Sequence, residues 1–230
     1  MTNPRLLVLT VGGFGDRVGA RLAQRYPGAE VIDAVAGTHP AAWPTTDVLI
    51  VAAEYDHPEL FEAVERAAFA WRRPWFPVLL DHPYLRCGPV VVPSRTACHR
   101  CFRRRRRQHA KTPGLWDDHR PPALPGSADR VRGFAGFHVG LATGLAVRAV
   151  ADARNDSGGP PGGWVRTVGL VDGVPQRSGV IAVDGCQRCR PPRAGRDWLA
   201  VATAVDARLA EAVDPSTHDS AAALGGSHDR

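Results

Sequence analysis

The sequence is short of lysine, of long apolar runs and of internal repeats, and each shortage narrows what the chain can be. Of its 29 basic residues only Lys111 is a lysine, so any mechanism that needs a lysine has one candidate. No apolar stretch approaches the roughly 18 residues that a membrane-spanning helix requires. The N-terminal apolar stretch, Leu6 to Val11, is too short for the core of a signal peptide and runs straight into Gly12-Gly13. It reads as a buried first strand, and the expected location is the cytoplasm. Cations are also missing from one long segment, since no Arg or Lys occurs between Ala34 and Glu65.

What is present suffices for one domain with a sizeable core, 230 residues of which 44% are hydrophobic. The net charge of +6 is concentrated between Arg95 and Arg107, where seven arginines fall in thirteen positions. Such a cluster attracts polyanions or acidic peptides, unless it is simply a solvated loop.

Arg5 to Thr10 (RLLVLT) has the continuous apolar character of a strand buried on both faces. A glycine-rich turn follows, then a helical pattern through Val18, Leu22 and Tyr26. Further strands are predicted at Ala29 to Ile32, Asp47 to Ala53 and Pro74 to Asp81, with an amphipathic helix over Pro58 to Trp71. This alternation predicts an α/β fold with a Rossmann-like, mostly parallel sheet. From Gly88 a short strand leads into the first cysteine pair. Arg103 to Asp129 reads as a long, partly mobile loop, because prolines and arginines crowd it and periodicity is weak. Val131, Phe134, Phe137, Leu141, Leu145 and Ala149 then predict a long helix ending near Arg154. After a linker, Val165 to Val171 and Gln176 to Val183 flank Asp172-Gly173 as a hairpin. A last helix is expected over Trp198 to Val213. Residues 1–213 are thus expected to form one domain, followed by a disordered tail over 214–230.

Four of the five cysteines form two CxxC units, Cys98-His-Arg-Cys101 and Cys186-Gln-Arg-Cys189, separated by 84 residues. Each turn lets two thiolates converge on one metal, and two turns complete the four-cysteine set that zinc favours in closed structural sites. Disulfides and redox chemistry are the competing readings, disfavoured by compartment and spacing. Such an ion has no open coordination position, so no catalytic role is expected of it. Cys87 has no CxxC partner and reads as a packed residue, and His99 as a surface residue.

Gly12, Gly13 and Gly15 follow a strand and open a helix, where a nucleotide phosphate would meet backbone N–H groups. Asp33, at the end of the second strand, occupies the place of a ribose-binding carboxylate. The alternative is that the glycines serve only the tight turn. The cation-free segment after Asp33 argues against adenylation, which needs cations against the developing phosphate charge. ATP is therefore not expected as a cofactor, and the site reads as vestigial.

The double CxxC on a Rossmann-like sheet resembles the E1-like, ThiF-like fold of adenylating enzymes. The segment Gly88 to Trp116 is similar to the zinc-site region of the E1-like (ocin-ThiF) partner proteins of YcaO cyclodehydratases. There a GP-x-V-x-P-G-x-x-x-C-x-x-C run precedes an arginine-rich stretch, and Gly179 to Cys189 resembles the family's closing motif. The likeness covers most of Arg5 to Cys189, and the two cysteine segments are its diagnostic part. It implies a non-catalytic role in biosynthesis of ribosomally made azoline peptides such as thiopeptides. Implied partners are a YcaO-type cyclodehydratase, which the chain activates, and the leader of the precursor peptide. A homodimer is left open. Ser94 departs from the pattern, standing where the family has glycine, and the family's N-terminal winged-helix recognition module is expected to be absent. The arginines Arg103, Arg104, Arg105, Arg106 and Arg107 are the candidates for docking an acidic leader or partner face. A nucleic-acid role is not expected, since only Phe102 and the more distant Trp116 could stack on bases near this run. An adenylating enzyme remains the alternative.

Overall fold

The computed structural model describes residues 3–109, 133–154 and 162–190, with 203, 205 and 206. The chain divides into two compact units, Met1–Arg190 and Pro191–Arg230, and the sheet belongs to the first. Within the second, Thr203, Val205 and Asp206 are helical. The expected last helix otherwise lies outside the described residues, as do the tail and the stretch 110–129 of the expected loop.

The fold is α/β, built on one seven-stranded sheet in the order β2-β1-β3-β4-β5-β6-β7. β1 (Leu6–Val11), β2 (Ala29–Asp33), β3 (Val48–Ala53) and β4 (Trp75–Asp81) run parallel, as their alternation with helices predicted. β5 (Tyr84–Cys87), β6 (Trp164–Gly169) and β7 (Pro175–Gly179) then add antiparallel. β1 and β3 are buried at every position. Their alternate residues feed two cores. Leu6 and Val8 face the one shared with α1 (Gly12–Arg25) and α4 (Gly136–Arg154), whereas Leu7, Leu9 and Val11 face the one shared with α2 (Pro58–Trp71). This two-sided burial is why no polar alternation marks these strands. The β6–β7 hairpin closes as expected around Asp172-Gly173. Asp172 Oδ1 accepts the Val174 N–H, and Gly173 takes φ 69°. Among the described residues no helix is long and apolar enough to cross a membrane.

Three expectations need correction. β5 was not anticipated, because four residues bounded by Pro83 and Gly88 carry no period of their own. The expected loop does not begin at Arg103, since His99–Gln108 form helix α3. Arginine is a good helix former, and Arg105, Arg106 and Arg107 lie in the last turn, where the helix dipole favours cations. Repulsion between like charges one turn apart costs only a few tenths of a kcal/mol per pair. Tertiary anchors outweigh it. Arg106 pairs with Asp81 at 2.8 Å, and Phe102 lies under the guanidinium of Arg86.

In α4 the buried stripe is Val139, Ala142, Ala146, Ala149, Val150 and Ala153 rather than the larger residues expected. Phe137 and Leu141 are exposed. Small residues let α4 approach α1 and the sheet closely, so alanine spacing marked the true inner face. Of the predicted stripe, Ala149 is in the core and Leu145 and Phe134 pack against it, while Val131 lies outside the described residues.

Candidate metal centre

Cys98 is the N-cap residue of α3 and Cys101 lies in its first turn. Cys186 and Cys189 sit in a turn after β7, which opens at Gly185 with φ 64° and closes with the Arg190 N–H on the Cys186 carbonyl. The two turns face each other across an apolar shell of Ala97, Phe69, Val180, Ala182 and Val183. Cys98 Sγ lies 3.7 Å from Cys186 Sγ, and Cys101 Sγ lies 3.6 Å from Cys189 Sγ. All four sulfurs fall within 4.8 Å of one another.

These distances test what the cluster can hold. A disulfide needs about 2.05 Å between sulfurs, so no pair here is bonded. A tetrahedron with metal–sulfur bonds of about 2.3 Å puts its sulfurs about 3.8 Å apart. The observed separations match that tetrahedron, so the four cysteines can hold a metal ion with a closed coordination sphere. The Val183 N–H donates to Cys101 Sγ at 3.2 Å, which places a positive dipole against that sulfur. Burial works against the Cys186 thiolate. The backbone N–H groups of Cys189 and Arg188 and the thiols of Cys101 and Cys98 outweigh it and bring its pKa down to about 6. Burial raises Cys98 and takes Cys189 up to about 11.

Ser94, which stands where the resembled motif has glycine, takes φ 67°. That is the left-handed region, which costs an L residue roughly 1 kcal/mol more than glycine. Ser94→Gly is therefore expected to raise stability by about 1 kcal/mol, read from the midpoint of urea unfolding.

A polar layer that the sequence reading missed locks the second turn to α2. Arg188, inside the second CxxC, donates to both oxygens of Glu62 and to Glu65 Oε2, the last at 2.7 Å. Glu65 Oε1 accepts the His99 N–H from the first CxxC. One carboxylate of α2 thus touches both cysteine turns. The Arg188 hydrogen bonds hold Glu62 below the usual carboxylate range, whereas burial raises Glu65 despite the same partner. A signal for Glu65 did exist. It lies on the apolar stripe of α2, between Phe61 and Ala68, where a carboxylate needs a buried partner.

His99 is buried rather than on the surface. It packs against Phe61, Trp75 and Phe102, and burial with the Arg86, Arg103 and Arg106 charges lowers its pKa well below the usual value. Cys87 is a packed residue as expected, 1% exposed, and burial pushes its thiol up to about 12.

The glycine turn lies on the same sheet, at the end of β1. Gly12 takes φ 74°, which the entry into α1 requires, and Gly15 abuts the Ala52 carbonyl so closely that a Cβ would stand 2.3 Å from its oxygen. The N–H of Phe14 donates to Glu54 Oε1 at 3.1 Å. Asp33 Oδ1 accepts the Val35 N–H at 2.8 Å, a local turn. The arginine run is divided between two sides of α3. Arg105 reaches the Ala182 carbonyl and Arg106 pairs with Asp81, whereas Arg103, Arg104 and Arg107 join Arg100 on another face.

No protein-family model matches the sequence, and no curated protein matches it in sequence. Solved structures do match its fold. The heterocyclase TruD superposes with a TM-score of 0.53 at 17% identity, over 82% of this chain and 28% of that one. MccB of E. coli gives 0.57 at 15% identity, over 84% of this chain and 67% of that one, and MccB has also been solved with ATP. A chain of the E. coli microcin synthetase McbBCD complex gives 0.56 at 14% identity, over 79% and 67%. The chain spans little more than a quarter of the heterocyclase. At these identities the likeness establishes the fold.

Proposed function

We propose that the chain is a non-catalytic, E1-like partner of a YcaO-type cyclodehydratase, with zinc as the ion of the four-cysteine site. In that role it engages the precursor of an azoline-containing peptide and activates the enzyme. The heterocyclase and microcin-synthetase folds support the biosynthetic setting, and the paired CxxC turns support the E1-like assignment. The observation that carries the non-catalytic part is Glu54. A nucleotide phosphate at the start of α1 would need the Phe14 N–H, and that N–H is already given to a carboxylate. A second anion there would meet the first. The ion, held by Cys98, Cys101, Cys186 and Cys189, supplies a crosslink between α3 and the chain after β7.

Reconstitution tests this reading. Precursor and cyclodehydratase alone are expected to give few or no rings, and adding this chain should restore ring formation, read as loss of one water per ring by mass spectrometry. Full ring formation without the chain would overturn the activating role.

The alternative, adenylation, draws on MccB, which shares the fold and is found with ATP. ATP–pyrophosphate exchange stimulated by the precursor would establish it, and the proposal expects none.

A further inference from the structure

α3 carries more charge than the fold uses. Arg105 and Arg106 are taken up by the Ala182 carbonyl and by Asp81. Arg100, Arg103, Arg104 and Arg107 recur at the i, i+3, i+4 and i+7 spacing, so they form one face about 100° wide. That face overlooks a cleft of about 400 Å³ between α2 and α3. Arg100, Arg103 and Arg104 have no hydrogen bond or ion pair among the described residues. On the opposite wall, Glu62 and Glu65 are already held by Arg188.

A second observation points into the same cleft. His99 lines it, is 3% exposed, and has its Nε2 buried without a hydrogen-bond partner among the described residues. An unpaired buried polar atom is costly, so the wall of the cleft carries an unsatisfied polar group. The cleft therefore offers a row of guanidinium forks for carboxylates and the half-exposed Glu62 as an acceptor, with His99 in its wall.

We propose that this cleft is a docking site for an acidic segment of the precursor peptide, a reading that rests on the function proposed above. The mixture of groups selects a peptide over a nucleic acid. A peptide brings carboxylates for the arginines and backbone N–H donors for Glu62, whereas a phosphodiester backbone brings acceptors only. The cleft also has no aromatic face on which a base could stack. Phe61 is 1% exposed, and Phe102 is turned to the other side of α3 against Arg86. Arg105 and Arg106, though part of the same run, serve the fold and not the ligand.

The test uses the full metal-loaded chain and a fluorescein-labelled, Gly/Ser-rich extended peptide bearing four glutamates. Its glutamine counterpart and an oligothymidine of equal charge are the comparisons. Binding by anisotropy is expected for the glutamate peptide and not for the glutamine one. Replacing Arg100, Arg103, Arg104 and Arg107 by serine should weaken it roughly tenfold or more, with metal content and melting temperature retained. Unchanged affinity in that variant overturns the proposal, and so does tighter binding of the oligonucleotide. A variant that fails to fold is replaced by the single charge reversal Arg104→Glu, which should weaken the glutamate peptide and restore affinity for one bearing lysine at the facing position. Capture assays separate the sources of the acidic segment. The quadruple variant should lose the precursor and keep the cyclodehydratase, and the reverse result overturns the assignment. If the cleft binds the acidic precursor segment but ring formation never depends on this chain, the cleft stands and the functional reading falls.

Discussion

Stripping the ion from Cys98, Cys101, Cys186 and Cys189 with a chelator is expected to release α3 and the segment after β7 while the parallel half of the sheet stays folded. Structural zinc in small domains contributes on the order of 10 kcal/mol or more of apparent folding free energy, comparable with the whole stability of a typical domain. The other links between the two turns, the Arg188–Glu65–His99 layer and the Arg105 contact with the Ala182 carbonyl, are worth less than such a site. The apolar shell around them is a handful of side chains, and β7 itself is exposed at every position. The four-stranded part has its own two cores, with Leu7, Leu9, Leu49 and Ile50 wholly buried. Hydrogen exchange distinguishes these regions. Amides of 98–109 and 180–190 should lose protection on chelation, and those of β1, β3 and β4 should keep most of theirs. Cys101→Ser should behave like the chelated chain. Equal protection with and without chelator would show that packing alone suffices. Metal analysis of the purified chain should find one zinc per chain.

The next largest effect is expected from Arg188→Met. Glu65 has a 2% exposed side chain, and Arg188 supplies the charge that permits its burial. Removing one partner of a buried pair costs about 3 to 5 kcal/mol, because the other is left charged in a poor dielectric or must take up a proton. Glu62 is half-exposed and will recover hydration, so the lower end, about 3 kcal/mol, is expected. For a domain of this size that corresponds to a fall in melting temperature of roughly 6 to 12 °C. The companion variant is Arg188→Met with Glu65→Leu, in which neither charge is buried. It should regain most of the loss, with the His99 N–H still short of its acceptor. A double variant no more stable than the single one would mean that Glu65 is not the group penalised.

The parallel strands were legible because each is a continuous apolar run closed by a helix with its own period, and Pro58–Trp71 could be bounded to the residue by Pro58 and the apolar spacing. The four cysteines were legible for a different reason. Their spacing is a local property, and only their meeting across 84 residues depended on the fold. What could not be read was whatever arises between elements. The His99 N–H bond to Glu65, the Arg188 link to Glu62 and Glu65, and the placing of Glu54 against the Phe14 N–H all join residues at least 34 positions apart. Helix α3 was concealed by its own charge, since a run of five arginines has no hydrophobic period although its backbone propensity is high. The inner face of α4 was mistaken because side-chain size was weighed above closeness of approach.

Among the described residues the sheet ends at β7, with the sequence PQRSG. Proline removes one donor from the strand, and the Arg177 guanidinium lies over the Trp164 ring, 3.8 Å from its centroid. At the other rim β2 carries Glu30 and Asp33, both exposed. A border so short, polar and charged is a poor template for another strand, in the manner by which natural sheets avoid growing into fibrils. Neighbouring chains are thus steered away from lengthening the sheet and toward the helices, where side chains rather than backbone decide which neighbour is accepted.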